Sequence, residues 1–346
     1  MRFNIGIVLL GIVILFGSGC SVMNFTGKTE NKTASKDTVF PELSENEKVE
    51  YQYKYIEALK LRLLGNSSDA LEYLTQCSRL KPHAPDPYYQ KSLIAKQIEE
   101  YDQAVQFGKK AVQYGPDNKW FRINLANLYL QSNVIDSARM QYEYLVEELN
   151  INDLDLIFKL AQLYQKTNNY DEALKYYNQI EDRVGVNERI SQLKKMIYAK
   201  IGEKEKAYDE INKLINKYPN ESKYYGMLAE LYATFNEYEK AEKMYDRLFE
   251  VDSTNTLGRL SLVRYYTKKG QVDKALDTYE NKVIPNNTIN FRDKMLIFMN
   301  FLQQSKKISQ YSSKFENSLD SLNHYYPDKM EVDALYADLY LKTNEF

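Results

Sequence analysis

Residues 222–255 read SKYYGMLAELYATFNEYEKAEKMYDRLFEVDSTN. On either side of Asn236, apolar and small residues recur at three- and four-residue spacing, the pattern of two amphipathic helices joined by a tight turn. Within this stretch Ala241 occupies a position that returns along the chain. Alanines stand in the same place at 70, 104, 138, 173, 207 and 275, a spacing of about 34 residues with one slip of a single residue. A fixed period of this length marks an architecture of stacked repeats rather than one globular core.

Other positions keep the same register. Small residues recur twelve places before the alanine, as Ala58, Ser92, Ala126, Ala161 and Ala229. Large side chains follow it by four, as Leu74, Tyr142, Tyr177, Ile211, Tyr245 and Tyr279. The small residues let paired helices approach closely, and the rings fill the space left between them. Gly65, Asn133, Asn168, Gly202, Asn236 and Gly270 fall at the turn, where positive φ is needed at a helix C-terminus. Pro82, Pro116 and Pro219 close units, since proline cannot continue the second helix. Glycine (13) and proline (8) are too scarce for a many-stranded sheet, so the expected class is all-α. Much of the content of 31 tyrosines is placed by the same register: Tyr129, Tyr164, Tyr198, Tyr232, Tyr266 and Tyr340 share one first-helix site, and Tyr101, Tyr170 and Tyr238 follow the turn.

This spacing and chemistry, also clear in PDPYYQKSLIAKQIEEYDQAVQFGKKAVQYGPDN (residues 85–118), resemble the tetratricopeptide repeat family over residues 51–346. The resemblance implies a right-handed superhelical solenoid of antiparallel helix pairs over residues 47–346. Units are expected near 51–84, 85–118, 119–153, 154–187, 188–221, 222–255 and 256–287, followed by a divergent pair over 288–329 and a half unit over 330–346. Three features depart from the family pattern: Lys195 at a small-residue position, Gly108 at a ring position, and the long stretch from Thr288 to Lys329. Because 330–346 repeats a first helix alone, continuation into further units is expected.

In this family the first helices line an inner, concave groove that takes peptides or partner domains. Carried over by register, the groove positions are Tyr89, Leu93 and Lys96, then Ile123, Asn127 and Leu130, then Phe158, Gln162 and Gln165. Gln192 and Met196 follow, and then Arg264 and Thr267. Trp120, the single tryptophan, reads equally as groove lining or as packing between units. The lysine and asparagine pair with which some members clamp a C-terminal carboxylate is not reproduced, because Ile123 precedes Asn127 where the lysine would stand.

The N-terminus reads as an address. Arg2 precedes an apolar run, Ile5 to Phe16, and then Gly17, Ser18, Gly19 and Cys20. A run of about 12 residues spans roughly 18 Å as helix, short of the ~30 Å hydrocarbon core, so residues 1–19 read as a signal peptide. The Gly-Cys ending resembles the lipobox of bacterial lipoproteins, with Gly17 where that motif usually carries Leu, Val or Ile. The resemblance implies lipidation of Cys20 and, with Ser21 next and no acidic run, an outer-membrane anchor facing the periplasm. An ordinary cleaved signal with an incidental cysteine is the alternative. Residues 20–46 lack hydrophobic periodicity and are expected to form a flexible tether.

Nothing points to catalysis. His83 and His324 have no second ligand at metal spacing, and no phosphate-binding or nucleophile motif occurs. Cys77 lies at a packing position. Lys and Arg (46) nearly balance Asp and Glu (48), which disfavours nucleic acid as a partner. The expectation is a non-enzymatic scaffold of the cell envelope, without cofactor or metal, binding a protein or peptide. A glycan- or peptidoglycan-binding lipoprotein, or the N-terminal interaction module of a longer protein, are the alternatives.

Overall fold

The computed structural model describes residues 42–304 and 308–343. The signal peptide, Cys20 and most of the tether expected from the sequence lie outside the described residues. Val49–Phe346 forms one compact unit. Its helices run as pairs: α1 (Glu45–Leu63) with α2 (Ser67–Leu80), α3 (Pro85–Gln97) with α4 (Tyr101–Tyr114), and α5 (Lys119–Gln131) with α6 (Ile135–Glu143). α7 (Leu154–Lys166) pairs with α8 (Tyr170–Val184), α9 (Glu188–Ile201) with α10 (Lys204–Lys217), and α11 (Ser222–Thr234) with α12 (Tyr238–Val251). α13 (Thr256–Lys269) and α14 (Val272–Thr278) complete the regular series, and α15 (Phe291–Gln304), α16 (Ser312–Tyr325) and α17 (Met330–Thr343) follow. From α3 to α13 each second helix packs on its own first helix and on the first helix of the next unit, giving an all-α solenoid.

The alanines explain the pairing. Ala70, Ala104, Ala138, Ala173, Ala207, Ala241 and Ala275 are all fully buried, as are Ala126, Ala161 and Ala229 on the facing first helices. Between them lie Tyr142, Tyr177, Tyr245 and Tyr279, also buried. The slip in the period falls between Ala138 and Ala173, and α6 is there prolonged by a π-helical turn, Tyr144–Glu148. A π-turn takes up one residue without breaking the helix, so the next unit keeps its place.

Every turn within a pair closes in one way. The N–H two residues beyond the first helix's last turn bonds back five residues, as in Val134 to Tyr129 O at 2.8 Å, Asn169 to Tyr164 O at 2.9 Å and Glu237 to Tyr232 O at 2.9 Å. The residue before that donor has positive φ. It is Gly65, Asn133, Asn168, Gly202, Asn236 or Gly270, and in the second unit it is Glu99, at φ 64°. Glutamate has no local compensation for the clash of its Cβ in this conformation.

Junctions between units are clamped by a position four residues before the small residue of the first helix. Tyr88 and Tyr225 donate to the carbonyls of Pro82 and Pro219, both at 3.0 Å. Arg122 Nε and Arg259 Nη2 reach the equivalent carbonyls of Pro116 at 2.5 Å and Ser253 at 2.9 Å.

The α8–α9–α10 junction holds a buried charge cluster. Lys194 Nζ lies 2.6 Å from Glu181 and 2.8 Å from Glu210, while Lys213 lies 3.1 and 2.9 Å from the same carboxylates. Burial opposes ionisation of Glu181, but hydrogen bonds from Lys194 and Lys213 override it and hold its pKa below the usual carboxylate value. Burial likewise opposes the charge on Lys213, yet its bonds to Glu210 and Glu181 raise its pKa above the ordinary lysine range.

Glu99→Gly is expected to raise stability by about 1 kcal/mol in urea unfolding, because glycine adopts positive φ without the Cβ clash. Lys194→Met removes the buried one of the two ammonium groups that Glu181 and Glu210 share, leaving Lys213 as their remaining cation, and is expected to cost about 1–3 kcal/mol. Because the Glu181 pKa is depressed on folding, its contribution is present above the unfolded value of about 4.3 and is lost as pH falls through the folded value. The urea midpoint should therefore drop below about pH 4.3, and Glu181→Gln should flatten that acid arm.

Candidate functional site

Three positions of each first helix, three before and one and four after the small residue, form the inner face. The structure sorts the residues expected there into three groups. Several are drawn into packing: the Tyr89 ring lies 4.9 Å from Phe121, and Phe158 sits 6.0 Å from Tyr177 with the Arg189 guanidinium 4.0 Å above it. Ile123 and Leu130 are half-buried against the core built around Ala126 and Tyr142. Leu93 and Lys96 are likewise half-buried.

A second group satisfies buried tyrosines. Asn127 Oδ1 accepts from Tyr142 at 3.1 Å, and Gln165 Oε1 accepts from Tyr177 at 2.8 Å. Burial pushes the Tyr177 phenol up to about 12 and raises Tyr142 as well, so both stay protonated donors. These amides face inward while serving the fold.

The third group is available to a partner. Met196 is 56% exposed and Trp120 is 57% exposed, with the Lys119 ammonium 4.9 Å from its ring. Gln162 is exposed, and Gln192 donates to Glu188 at 3.0 Å. Arg264 is exposed and donates to Ser261 at 3.1 Å, whereas the Thr267 hydroxyl is returned to Val263 O at 2.8 Å.

Arg264 belongs to a cleft of about 250 Å³ between α11 and α13. Its polar walls are Glu230, Ser261, Arg264 and Lys268, and its floor includes Tyr245, Tyr265 and Ala233. Ser261 donates to Glu230 at 2.6 Å, and Lys268 reaches Ala233 O at 3.5 Å. The Tyr245 phenol is pushed up by burial and by the Glu230 charge, partly offset by Arg264. Lys195 approaches from α9; burial lowers its pKa, and attraction to Glu230 opposes that. The cleft thus offers two exposed cations, a carboxylate and a hydroxyl over aromatic walls, a set that takes polar groups of an extended chain.

Sequence reasoning missed Glu230, Ser261 and Lys268. A signal was present: Ala233 stands four after Ala229, where Gln165 fills the corresponding space four after Ala161, so a void above Tyr245 was readable.

Among the described residues no group of His, Cys, Asp or Glu is arranged to hold a metal ion. None of the described helices is long and apolar enough to cross a membrane. Cys77 is buried, and desolvation raises its thiol to about 11, which leaves it unreactive at neutral pH.

Fold and face together define a helix-pair repeat protein with a polar cleft on its first-helix face. Family models described as tetratricopeptide repeat match residues 97–147, 154–182, 196–221 and 222–255, so these stretches are similar to that repeat. A TPR repeat-containing protein of Methanocaldococcus jannaschii is 29% identical over 163 residues, 47% of this chain and 28% of that protein, so the match spans little more than a quarter of the relative. The structure of Naa15/Naa10 bound to HypK-THB is similar over 82% of this chain and 43% of that one, at 14% identity and TM-score 0.56, a likeness of fold alone. A tetratricopeptide repeat protein from Parabacteroides merdae aligns over 78% of this chain and 99% of its own, at 17% identity and TM-score 0.40.

Tyr177→Phe is expected to cost about 1 kcal/mol in urea unfolding, since it removes one buried hydrogen bond and leaves the Gln165 oxygen unmet.

Proposed function

We propose that the chain is a non-enzymatic scaffold of the bacterial cell envelope, tethered by lipid at Cys20, that holds a peptide or protein partner across its first-helix face. The observation that carries the reading is the α11–α13 cleft, where Arg264 and Lys268 stand exposed beside the Ser261–Glu230 pair. Tetratricopeptide arrays serve as protein-interaction scaffolds, and this one has polar groups unclaimed by its own core on the face such arrays use. The envelope assignment is supported by Arg2, the apolar run Ile5 to Phe16, and the Gly19-Cys20 ending. A diacylated or triacylated cysteine holds a chain on a membrane far more firmly than one acyl group. Residues 21–46 give the folded array room to reach a partner beside that membrane.

Two arms of one experiment test this. Radiolabelled palmitate should enter the wild-type chain and not Cys20→Ser; equal labelling would end the anchoring claim. Affinity capture from membranes with Arg264→Glu/Lys268→Glu should recover the wild type's partner in yield reduced about tenfold, equivalent to ~1.4 kcal/mol. Undiminished recovery, with the variant's melting curve unchanged, would remove the cleft from the binding surface.

A further inference from the structure

Lys91 of α3 and Lys194 of α9 share one place in the repeat, thirteen residues before the buried alanine of their second helix. Leu125, Leu160 and Leu228 fill that place in other units, all buried. A lysine there carries its ammonium into a leucine's position and calls for a compensating charge. For Lys194 that charge comes from Glu181, eight residues after the alanine of the preceding unit, and from Glu210, three after its own. Lys213, six after the same alanine, completes the cluster.

Around Lys91 the same places hold a different set. Lys110 repeats Lys213, but Ser78 stands where Glu181 would be and Phe107 where Glu210 would be. The geometry is otherwise kept. Lys91 Nζ donates to Ser78 Oγ at 3.1 Å, as Lys194 does to Glu181, and lies 5.6 Å from the Phe107 ring. The Lys91 and Lys110 ammonium groups stand 5.5 and 5.3 Å from one ring, that of Tyr88. Both lysines are thus retained and both carboxylates are replaced. Lys91 is 5% exposed, and among the described residues no carboxylate forms an ion pair with it. Burial and then the Lys110 charge push its ammonium down to about 8, with Arg79 adding to the repulsion and the Cys77 thiol opposing it.

Aromatic faces attract a cation but do not neutralise it. Serine is shorter than glutamate, Ser78 is half-buried, and Lys110 and Arg79 beside it are exposed, so the vacated carboxylate position is reached from solvent. We propose that the junction of α2, α3 and α4 binds a carboxylate supplied from outside the chain, between Lys91 Nζ and Lys110 Nζ, in the place that Glu181 fills in the later unit. The Ser78 hydroxyl donates to the bound group, and the Tyr88 ring forms the wall that both ammonium groups share. Phe107 closes the place of Glu210, which leaves one planar group to be accommodated. A free organic acid and an acidic side chain of a partner present the same chemistry here. The site uses none of the residues of the α11–α13 cleft, so each can fail without the other.

The carbon-13 signal of Lys91 Cε in the lysine-labelled full chain reads the site directly. At constant ionic strength, acetate or a hexaglutamate peptide should raise the proton affinity of Lys91 about tenfold, because an anion beside an ammonium favours its charged form. A response to the peptide at about tenfold lower carboxylate concentration assigns the group to an acidic partner, and an equal response assigns it to a free acid. Ser78→Glu supplies the carboxylate from within, so its Lys91 should hold the raised affinity and respond to neither probe. Lys91→Met returns an apolar side chain to the leucine position; it should fold and lose the acetate-dependent rise in urea midpoint that the wild type shows. A Lys91 signal unmoved by both carboxylates, a response to inorganic phosphate alone, or an undiminished acetate effect on Lys91→Met would each overturn the assignment.

Discussion

The close approach of paired helices at the repeated alanines governs the rest of this structure. With Ala70, Ala104, Ala138 and their successors fully buried, two backbones meet with almost nothing between them. Any larger side chain there would push the pair apart and cost about 1–3 kcal/mol in strain. The rings four residues on then have a fixed space to fill. Since each unit stacks on the next, the alanine must return at the same angular position, and an extra residue has to be absorbed locally. The π-turn at Tyr144–Glu148 absorbs it, so the slip in the period and the widened helix have one cause.

Once those positions are fixed, the remaining faces of a first helix divide among three duties. The position four before the small residue holds the junction, through Tyr88, Arg122, Tyr225 or Arg259. Tyrosine and arginine share that position because each has the length and a donor to reach a backbone carbonyl left without a helical partner. The position two after is buried. Only the inner positions remain for recognition, and even these are taxed by the buried tyrosines, whose hydroxyls need partners.

The sequence made the solenoid legible because the features that set it are periodic: alanines, rings, turn residues and closing prolines recur in step. Glu99 escaped, since nothing about a glutamate signals positive φ; the turn bond from Glu100 to Ala95 imposes it. The buried ion cluster escaped too. Lys195 attracted notice at a small-residue position, yet it is Lys194, one place before it, that enters the core, because only there do Glu181 and Glu210 from adjoining helices converge. For the inner face, register located the helices and their sides. It did not distinguish Gln162, exposed, from Gln165, tied to Tyr177, because that distinction depends on the reach of a side chain from another helix.

The α11–α13 cleft arises from the same tyrosine logic by default. In α5 and α7 an inner-face amide covers the hydroxyl of the ring beneath it. In α11 the two equivalent places hold Glu230 and Ala233; alanine is too short to cover Tyr245, and the space above the ring stays open. Glu230 in that space calls for compensation, which Ser261 and Arg264 of the next unit supply. A carboxylate and a guanidinium bridged by one hydroxyl hold each other less firmly than a direct bidentate pair. An incoming polar group can therefore displace the hydroxyl and gain two charged partners, an exchange the satisfied amides of α5 and α7 do not offer. The open polar space on the inner face thus lies where a small residue interrupts the pattern.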